Sequence, residues 1–283
     1  MIGVNGKTPT IGLIALDLDG TLMMPDHISV SAANKAALRA AHESGAKIAV
    51  ATGRTLSILG NVCEQVPQID YILYSNGAGV FDRKNNAVLF EQALPQSTGL
   101  QLLEYFDTLP AFLEVYAGGK SYAQQDKEPF FPADAFPKVF VEAARQGMII
   151  CDDLKETLWE TAIEKFTVYI TDRKIYRQAW DELSARADLS VTTSFPISID
   201  VTFAGADKGT ALQKLCARLG ILPEHCMAFG DAANDLPMLT FARYGFAMEN
   251  ASEVCKAGAP YQTKSNAEDG VALAIQQVMR LQI

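Results

Sequence analysis

Two carboxylates, Asp17 and Asp19, lie close together in the string LDLDGT at residues 16–21. Acids two positions apart point the same way while the chain is extended, and Gly20 then lets the backbone turn sharply. Because close carboxylates repel each other, a hard cation that prefers oxygen ligands, such as Mg²⁺, would stabilise them. The string therefore indicates a metal-binding or acid–base site, with a solvated turn after a strand as the alternative.

A second acidic string, GDAAND at residues 230–235, lies far along the chain. Asp231 can ligate a metal, Asn234 can bond a phosphate oxygen or a ligand water, and Asp235 can cap a helix or orient a neighbouring group. An ordinary acidic helix cap is the alternative. The string predicts a polar turn between a strand and a helix.

Two shorter strings carry groups that suit an anion. In TGR, at residues 52–54, a hydroxyl precedes the backbone N–H of Gly53, where a phosphate oxygen can approach closely. In DKGT, at residues 207–210, Lys208 lies in the first turn of a predicted helix and opposes its dipole, a conflict that a bound anion would relieve. An ordinary turn and a solvated lysine are the respective alternatives.

The segments that must position these strings alternate between strand and helix. Residues 11–16 form a continuous apolar run that ends at Asp17, which is typical of a strand buried on both faces of a parallel sheet. The pattern then predicts a helix over 30–41 capped by Ser29 or Ser31, a strand over 47–51, a helix over 55–66 and a strand over 71–74. This alternation predicts a doubly wound, mostly parallel α/β sheet.

The pattern changes after about residue 80. Predicted hairpins over 78–90 and 112–123, a strand over 166–170 and a helix capped by Asp172 indicate an inserted α+β module. Strand and helix alternate again later, with predicted strands over 197–203, 226–229 and 244–247 and a final helix from about residue 271.

We therefore expect a discontinuous core domain of residues 1–92 and 195–283, interrupted by an inserted domain of residues 93–194. In this arrangement all four strings follow parallel strands of one sheet. Open α/β sheets bind their ligands at the carboxyl ends of such strands.

The composition excludes several classes of protein. The chain has 283 residues, of which 49% are hydrophobic, and 33 acidic against 24 basic residues give a net charge of −9. Such a chain can fold around a large core, but it lacks the basic patch that nucleic acid or anionic lipid requires. We expect a small-molecule substrate and neither a nucleic-acid nor a membrane partner; the sequence does not determine the oligomeric state.

The cysteines, histidines and tryptophans carry no clear signature of their own. The cysteines are odd in number and lack a C-x-x-C pair, which predicts buried free thiols at Cys63, Cys151, Cys216, Cys226 and Cys255. The apolar run near the N-terminus is too short for a signal peptide or a spanning helix, so we expect a cytoplasmic protein. The histidines lack triad or zinc spacing, which predicts surface or loop positions for His27, His42 and His225. Core packing in the insertion is expected for Trp159 and Trp180.

The four strings match, in order and placement, the four motifs of the haloacid dehalogenase superfamily. The chain resembles its Cof-like sugar-phosphatase group, which has a large α/β cap domain, and the resemblance extends to SNGA at residues 75–78. It implies a Rossmann-like core with an inserted cap and Mg²⁺ as the cofactor. It also implies a phosphatase that hydrolyses small-molecule phosphate monoesters, of a sugar or a phosphorylated cofactor, through an aspartyl-phosphate.

The resemblance also implies a role for each motif residue. Asp17 would be the nucleophile and Asp19 the general acid and base. The metal ligands would be Asp17, the backbone carbonyl of Asp19, and Asp231. The phosphate would be bound by Leu18, Thr52, Gly53, Lys208 and Asn234, with support from Arg54, Asn76 and Asp235. A phosphomutase or phosphotransferase acting on sugar phosphates, and a non-catalytic sugar-phosphate sensor, remain as alternatives.

Overall fold

The computed structural model describes residues 9–135, 138–193 and 195–281. The polar start of the chain and Ser194, the expected last residue of the insertion, lie outside these ranges. Within them the strands are β1 Leu13–Leu16, β2 Lys47–Ala51, β3 Ile69–Tyr74, β4 Gly79–Asp82, β5 Ala87–Glu91, β6 Phe112–Ala117, β7 Lys120–Gln124, β8 Met148–Cys151, β9 Ile163–Tyr169, β10 Leu189–Thr192, β11 Ser198–Phe203, β12 Cys226–Gly230, β13 Tyr244–Ala247 and β14 Tyr261–Gln262. The α-helices are α1 Ala32–Glu43, α2 Gly60–Gln65, α3 Gln96–Asp107, α4 Lys138–Gly147, α5 Leu154–Thr157, α6 Arg173–Ser184, α7 Lys208–Leu219, α8 Leu236–Phe241, α9 Glu253–Gly258 and α10 Gly270–Met279.

The larger sheet has eight strands in the order β14-β13-β12-β1-β2-β3-β4-β5. The first six are parallel, and β4 and β5 add an antiparallel hairpin. Every residue of the central strand β1 is buried, as its continuous apolar sequence predicts. Ser31 caps α1 through the N–H of Asn34, and the Asn34 side chain accepts the N–H of Ala272 on α10. The predicted doubly wound α/β core is confirmed.

The second sheet has six strands in the order β10-β11-β9-β6-β7-β8, mostly antiparallel. Successive side chains along its strands point to opposite faces of the sheet. One face carries apolar side chains such as Val115, Phe166 and Val201, which pack with residues of α3 and α6 into a separate hydrophobic core. The other face turns toward the first sheet. The predicted α+β insertion is therefore present, and Asp172 caps α6 as expected.

One strand was assigned to the wrong sheet by its pattern. Residues 197–203 were expected in the parallel core, but Ser198–Phe203 pairs antiparallel with β9 and β10 in the second sheet. Helix α7, which begins at Lys208, therefore follows a strand of the insertion rather than a parallel core strand. The domain division stays a prediction, and we propose that its second boundary lies after Phe203.

Two further expectations differ from the structure. The helix expected over 55–66 is broken into a 3₁₀ turn, Leu56–Ile58, and α2, and the N–H of Ser57 donates to the carbonyl of Gly119 on the insertion. Trp159 is 57% exposed, so its predicted core position is wrong, whereas Trp180 is half-buried against the insertion's core. All five cysteines are free; three are buried and two are half-buried.

The two chain crossings between the sheets lie side by side. Gln92, after β5, donates a hydrogen bond from Nε2 to the carbonyl of Ala204, after β11, over 3.4 Å. Gln92 also accepts a hydrogen bond from Lys214 on α7. Among the helices described, none combines the length and apolar character that crossing a membrane requires.

Candidate active site

Loops that follow three neighbouring parallel strands converge at one edge of the core sheet. Asp17 follows β1, Thr52 follows β2, and Asp231 follows β12. Lys208 reaches the same edge from the first turn of α7. The sequence pattern predicted this position, although it wrongly assigned the preceding strand, β11, to the parallel core sheet. The four motifs together line one cavity of about 500 Å³ between the two sheets.

Lys208 lies at the centre of a buried cluster of charges. Its Nζ donates to Oδ1 of Asp17 over 2.6 Å and to Oδ1 of Asp235 over 2.5 Å, and its side chain is 2% exposed. Burial lowers the pKa of Lys208, but the two carboxylates raise it further, so its ammonium stays charged. Burial raises the pKa of Asp17, which Lys208 opposes and Asp235 and Asp231 reinforce.

The carboxylates around Lys208 fit a divalent cation. One oxygen from each of Asp17, Asp231 and Asp235 lies within 4.8 Å of the others. Three acids against one ammonium leave excess negative charge, and burial together with Asp235 raises the pKa of Asp231 to about 7. An oxygen-ligated cation would remove this conflict.

Asp235 is bonded to its neighbours through both carboxylate oxygens. Its Oδ2 accepts the N–H groups of Asp231 and Ala232 at 2.9 and 3.0 Å, and its Oδ1 is bonded to Lys208. Both oxygens are thus engaged within the protein. Asp17 and Asp231 are the two other carboxylates of the group that could hold a cation.

Gly20 allows the first motif to pack against the fourth. Its φ is +82°, and a Cβ at this position would lie 2.4 Å from Oδ2 of Asp231. The adjacent Thr21 donates from Oγ1 to Oδ1 of Asp231 over 3.2 Å. Any side chain at residue 20 would therefore both strain the backbone and displace the Asp231 carboxylate.

Asp19 turns away from the acidic cluster toward two basic groups. Arg54 donates to its two oxygens at 2.9 and 2.6 Å, and Nδ1 of His27 lies 3.0 Å from Oδ1. Although burial raises it, hydrogen bonds from His27 and Arg54 and the charge of Arg54 lower the pKa of Asp19 to about 2. His27 does lie in a loop, as expected, but the loop closes on the site; no spacing signalled this contact.

Asn76 and Asn234 form a second polar group beside the TGR string at residues 52–54. Asn234 donates from Nδ2 to Oδ1 of Asn76 over 3.2 Å. The Nδ2 of Asn76 and the Oδ1 of Asn234 are buried and find no hydrogen-bond partner among the described residues. Gly53 is adjacent, since a Cβ there would lie 3.1 Å from Oδ1 of Asn76. Two buried polar atoms beside Gly53 are therefore left without a partner within the described part of the chain.

The turn that carries Asn76 is strained. Ser75, Asn76 and Gly77 all have positive φ, at 50°, 57° and 91°. A Cβ on Gly77 would lie 2.4 Å from the carbonyl of Asp207, so the turn supports the start of α7 directly. Such strain is typical of functional sites. Leu18 has its side chain buried in the core, which leaves only its backbone to serve the site.

The wall of the cavity opposite the motifs was missed by sequence reasoning. It is the inner face of the second sheet, where polar side chains are buried at Glu114, Ser121, Lys165, Thr167 and Asp200. Burial raises the pKa of Glu114, against the effects of Ser121 and Lys165. The available signal was the alternation of charged and apolar residues in three strands of the insertion.

Two neighbouring residues of β9 connect this wall to the core loops. Lys165 donates from Nζ to the carbonyl of Gly53 over 2.7 Å. Glu164 accepts Oγ–H of Ser75 over 2.7 Å and the N–H of Gly119 over 2.6 Å. The insertion is therefore held against both polar loops of the core.

Comparison with known proteins identifies the family. The sequence profile of the haloacid dehalogenase-like hydrolases matches residues 14–275. A 5-amino-6-(5-phospho-D-ribitylamino)uracil phosphatase of Bacillus subtilis is 31% identical over 274 residues, covering 97% of this chain and 98% of that protein. A haloacid dehalogenase-like hydrolase of B. subtilis has a solved structure with a TM-score of 0.84 and 26% identity, covering 95% of this chain and 100% of that one.

A solved sugar phosphatase of subclass IIB in the same superfamily has a TM-score of 0.80 and 27% identity, covering 94% of this chain and 98% of that one. The resemblance suggested by the four motifs is confirmed over the full length of the fold. The chain belongs to the haloacid dehalogenase-like hydrolases, and it is an enzyme of their phosphatase group.

Proposed function

We propose that this chain is a Mg²⁺-dependent phosphatase that hydrolyses small-molecule phosphate monoesters, of a sugar or a phosphorylated cofactor, through an aspartyl-phosphate. The observation that carries the proposal is the buried Asp17 carboxylate, which lines the cavity and is held by Lys208. Two of the relatives, a 5-amino-6-(5-phospho-D-ribitylamino)uracil phosphatase and a sugar phosphatase, support this substrate class. The free thiols favour a cytoplasmic setting.

In the first step an oxygen of Asp17 attacks the phosphorus. The bond between phosphorus and the leaving-group oxygen breaks, and Asp19 supplies the proton that the departing alcohol takes up. In the second step Asp19 removes a proton from a water molecule that attacks the aspartyl-phosphate. Inorganic phosphate leaves and the Asp17 carboxylate is restored.

Arg54 and His27 hold Asp19 in the form that accepts a proton from water. For the first step, we expect the leaving-group oxygen to replace one of these hydrogen bonds, so that Asp19 can carry a proton. The two basic groups are therefore positioning residues for the acid–base group.

The remaining residues bind charge. Asp17, Asp231 and the backbone carbonyl of Asp19 would hold Mg²⁺, which when bound neutralises charge on the transferring phosphoryl group. Phosphoryl transfer depends mainly on positioning and charge neutralisation. The phosphate would contact the side chains or backbone N–H groups of Leu18, Thr52, Gly53, Lys208 and Asn234, with Asn76 and Asp235 orienting them.

The test is phosphate release from a panel of phosphate monoesters by the wild type and Asp17→Asn, with Mg²⁺ or with EDTA. We expect release to require both Asp17 and the metal, with a loss in the variant of about a thousandfold or more, which is about 4 kcal/mol. Asp152→Asn, which removes an exposed carboxylate of the cap domain, is the control and keeps wild-type turnover.

Near-normal turnover by Asp17→Asn contradicts the assignment of the nucleophile. Transfer that requires a hexose bisphosphate and yields no free phosphate supports the phosphomutase alternative. Tight binding without release at high Mg²⁺ supports the sensor.

A further inference from the structure

The inner face of the cap sheet carries a row of polar side chains on three adjacent strands. Glu114 on β6 lies opposite Thr167 on β9, and Thr167 lies opposite Asp200 on β11. All three are buried and line the cavity. Thr167 donates from Oγ1 to Oδ1 of Asp200 over 2.7 Å. We call these three residues, with Lys165, the acidic face.

Carboxylates outnumber cations on the acidic face. Among the described residues of the cap sheet that line the cavity, Glu114 and Asp200 are acidic and Lys165 is basic. Glu114 is 8% exposed and Asp200 is 1% exposed. Buried charges of this kind interact strongly because water screens them poorly.

The one cation of this face is already engaged by the protein. Nζ of Lys165 donates to the carbonyl of Gly53 over 2.7 Å and lies 4.0 Å from the centre of the Tyr116 ring. It also lies 3.8 Å from an oxygen of Asp200. A second anionic group on a substrate would have to compete with these contacts while facing two carboxylates.

We propose that the acidic face selects the leaving group by charge. It accepts a neutral or cationic alcohol whose hydroxyl or amino groups donate hydrogen bonds to Asp200 and Glu114, and it rejects an alcohol that carries a carboxylate or a second phosphate. Carboxylates accept several hydrogen bonds but donate none when ionised, which makes them suited to donor-rich ligands. This inference rests on the proposed phosphatase activity and names the leaving-group class for that same site.

The test uses three compounds that share a ring and a phosphate but differ in the charge of the leaving group. These are glucosamine 1-phosphate, glucose 1-phosphate and glucuronic acid 1-phosphate, cationic, neutral and anionic at pH 7. We measure kcat/KM for each of the three compounds. If one of them is not hydrolysed, all three are compared by their inhibition constants against p-nitrophenyl phosphate. We expect the anionic compound to be at least about tenfold worse than the neutral one.

Two variants that preserve shape then remove the negative charges one at a time. Asp200→Asn and Glu114→Gln should each reduce the preference for the neutral over the anionic compound by about threefold or more. Glu160→Gln, an exposed carboxylate of the cap outside the cavity, should leave this preference unchanged. A ratio between matched compounds is unaffected by partial unfolding of a variant, because the folded fraction cancels.

Hydrolysis of p-nitrophenyl phosphate with Mg²⁺ separates the two possible failures. If no phosphate is released from any compound, the proposed function fails. If p-nitrophenyl phosphate is hydrolysed but the anionic compound is processed as well as the neutral one, the inference is overturned. It is also overturned if neither Asp200→Asn nor Glu114→Gln changes the preference.

Discussion

The edge of the core sheet and the acidic face hold charged side chains on opposite sides of one cavity, yet they are built differently. We call the edge of the core sheet that carries Asp17, Asp231, Asp235 and Lys208 the core edge. The core edge uses loops after parallel strands, and its charges are tied to one another, as Lys208 is to Asp17 and Asp235. The acidic face uses positions within antiparallel strands, such as Glu114 and Asp200. Backbone turns therefore fix the side chains of the core edge, whereas the acidic face consists of single side chains on a regular sheet.

The largest effect should come from removing the cation of the core edge. Lys208→Met leaves Asp17, Asp231 and Asp235 without their counter-charge. We expect turnover to fall by about a hundredfold to a thousandfold, and the metal-free protein to lose about 3–5 kcal/mol of unfolding free energy. Kinetics and thermal unfolding with and without Mg²⁺ measure both effects.

Lys214→Met is the matched control, because Lys214 lies on the same helix and is exposed. It should keep turnover close to wild type. If Lys208→Met keeps turnover within a fewfold of wild type, the core edge does not depend on its linked charges and the contrast with the acidic face is wrong.

A smaller effect should come from the backbone of the core edge. Gly20→Ala and Gly45→Ala both place a side chain at positive φ, +82° and +101°, but only the former meets Asp231. Gly45→Ala should lose about 1 kcal/mol of unfolding free energy, and Gly20→Ala should lose more, because its Cβ also overlaps the Asp231 carboxylate. Only Gly20→Ala should also lose about a hundredfold in turnover, because a ligand displaced by about 1 Å is enough for such a loss. Equal turnover in the two variants would show that close packing at Gly20 is unimportant.

The smallest effect should come from Glu164, which connects the second sheet to the Ser75 turn of the core. Burial raises the pKa of Glu164 above its ordinary value, against hydrogen bonds from Ser75 and Gly119. The folded protein therefore binds this proton more readily than the unfolded chain, and stability falls as pH rises from the ordinary pKa through the folded one. Glu164→Gln lacks this loss of stability. Its melting temperature should therefore rise relative to wild type as pH rises from the ordinary pKa through the folded one, by about 2–4 °C for each kcal/mol of unfolding free energy that the wild type loses.

Thermal unfolding of both proteins from pH 4 to pH 8 measures this difference. The same series on Glu160→Gln, which alters an exposed acid of the cap, should give a difference that is constant with pH. A constant difference for Glu164→Gln as well would mean that ionisation of the buried Glu164 carboxyl does not lower the stability of the folded protein.

The sequence predicted the core edge well because its groups lie in contiguous strings. Asp17 and Asp231 end apolar strands, so strand and motif support each other. Lys208 was identified even though its preceding strand was placed in the wrong sheet. A six-residue strand such as Ser198–Phe203 looks similar in either sheet, and only its polar alternate positions, Ser198, Asp200 and Thr202, indicated a strand with one apolar face.

The other contacts could not be predicted because they depend on tertiary pairing. His27 meets Asp19 through a loop whose path no local pattern specifies. Glu114 and Asp200 are far apart in the chain and lie in one row only because β9 pairs with both of their strands. Trp159 is apolar but exposed, which composition alone does not reveal.

The short link between β11 and α7 has a mechanical consequence. Asp200 on the strand and Lys208 on the helix are joined by residues 204–207, beside Gln92 of the other crossing, and Gly205 has a φ of +82°. The two crossings lie together, so a rotation of the second sheet relative to the first would have to bend the chain at residues 204–207 and near Gln92. Such a rotation would move β11, whose Asp200 we propose contacts the alcohol, relative to α7, whose Lys208 we propose contacts the phosphoryl group. Because the alcohol leaves before water attacks the aspartyl-phosphate, we expect such a rotation to release the alcohol while the phosphoryl group is still attached to Asp17.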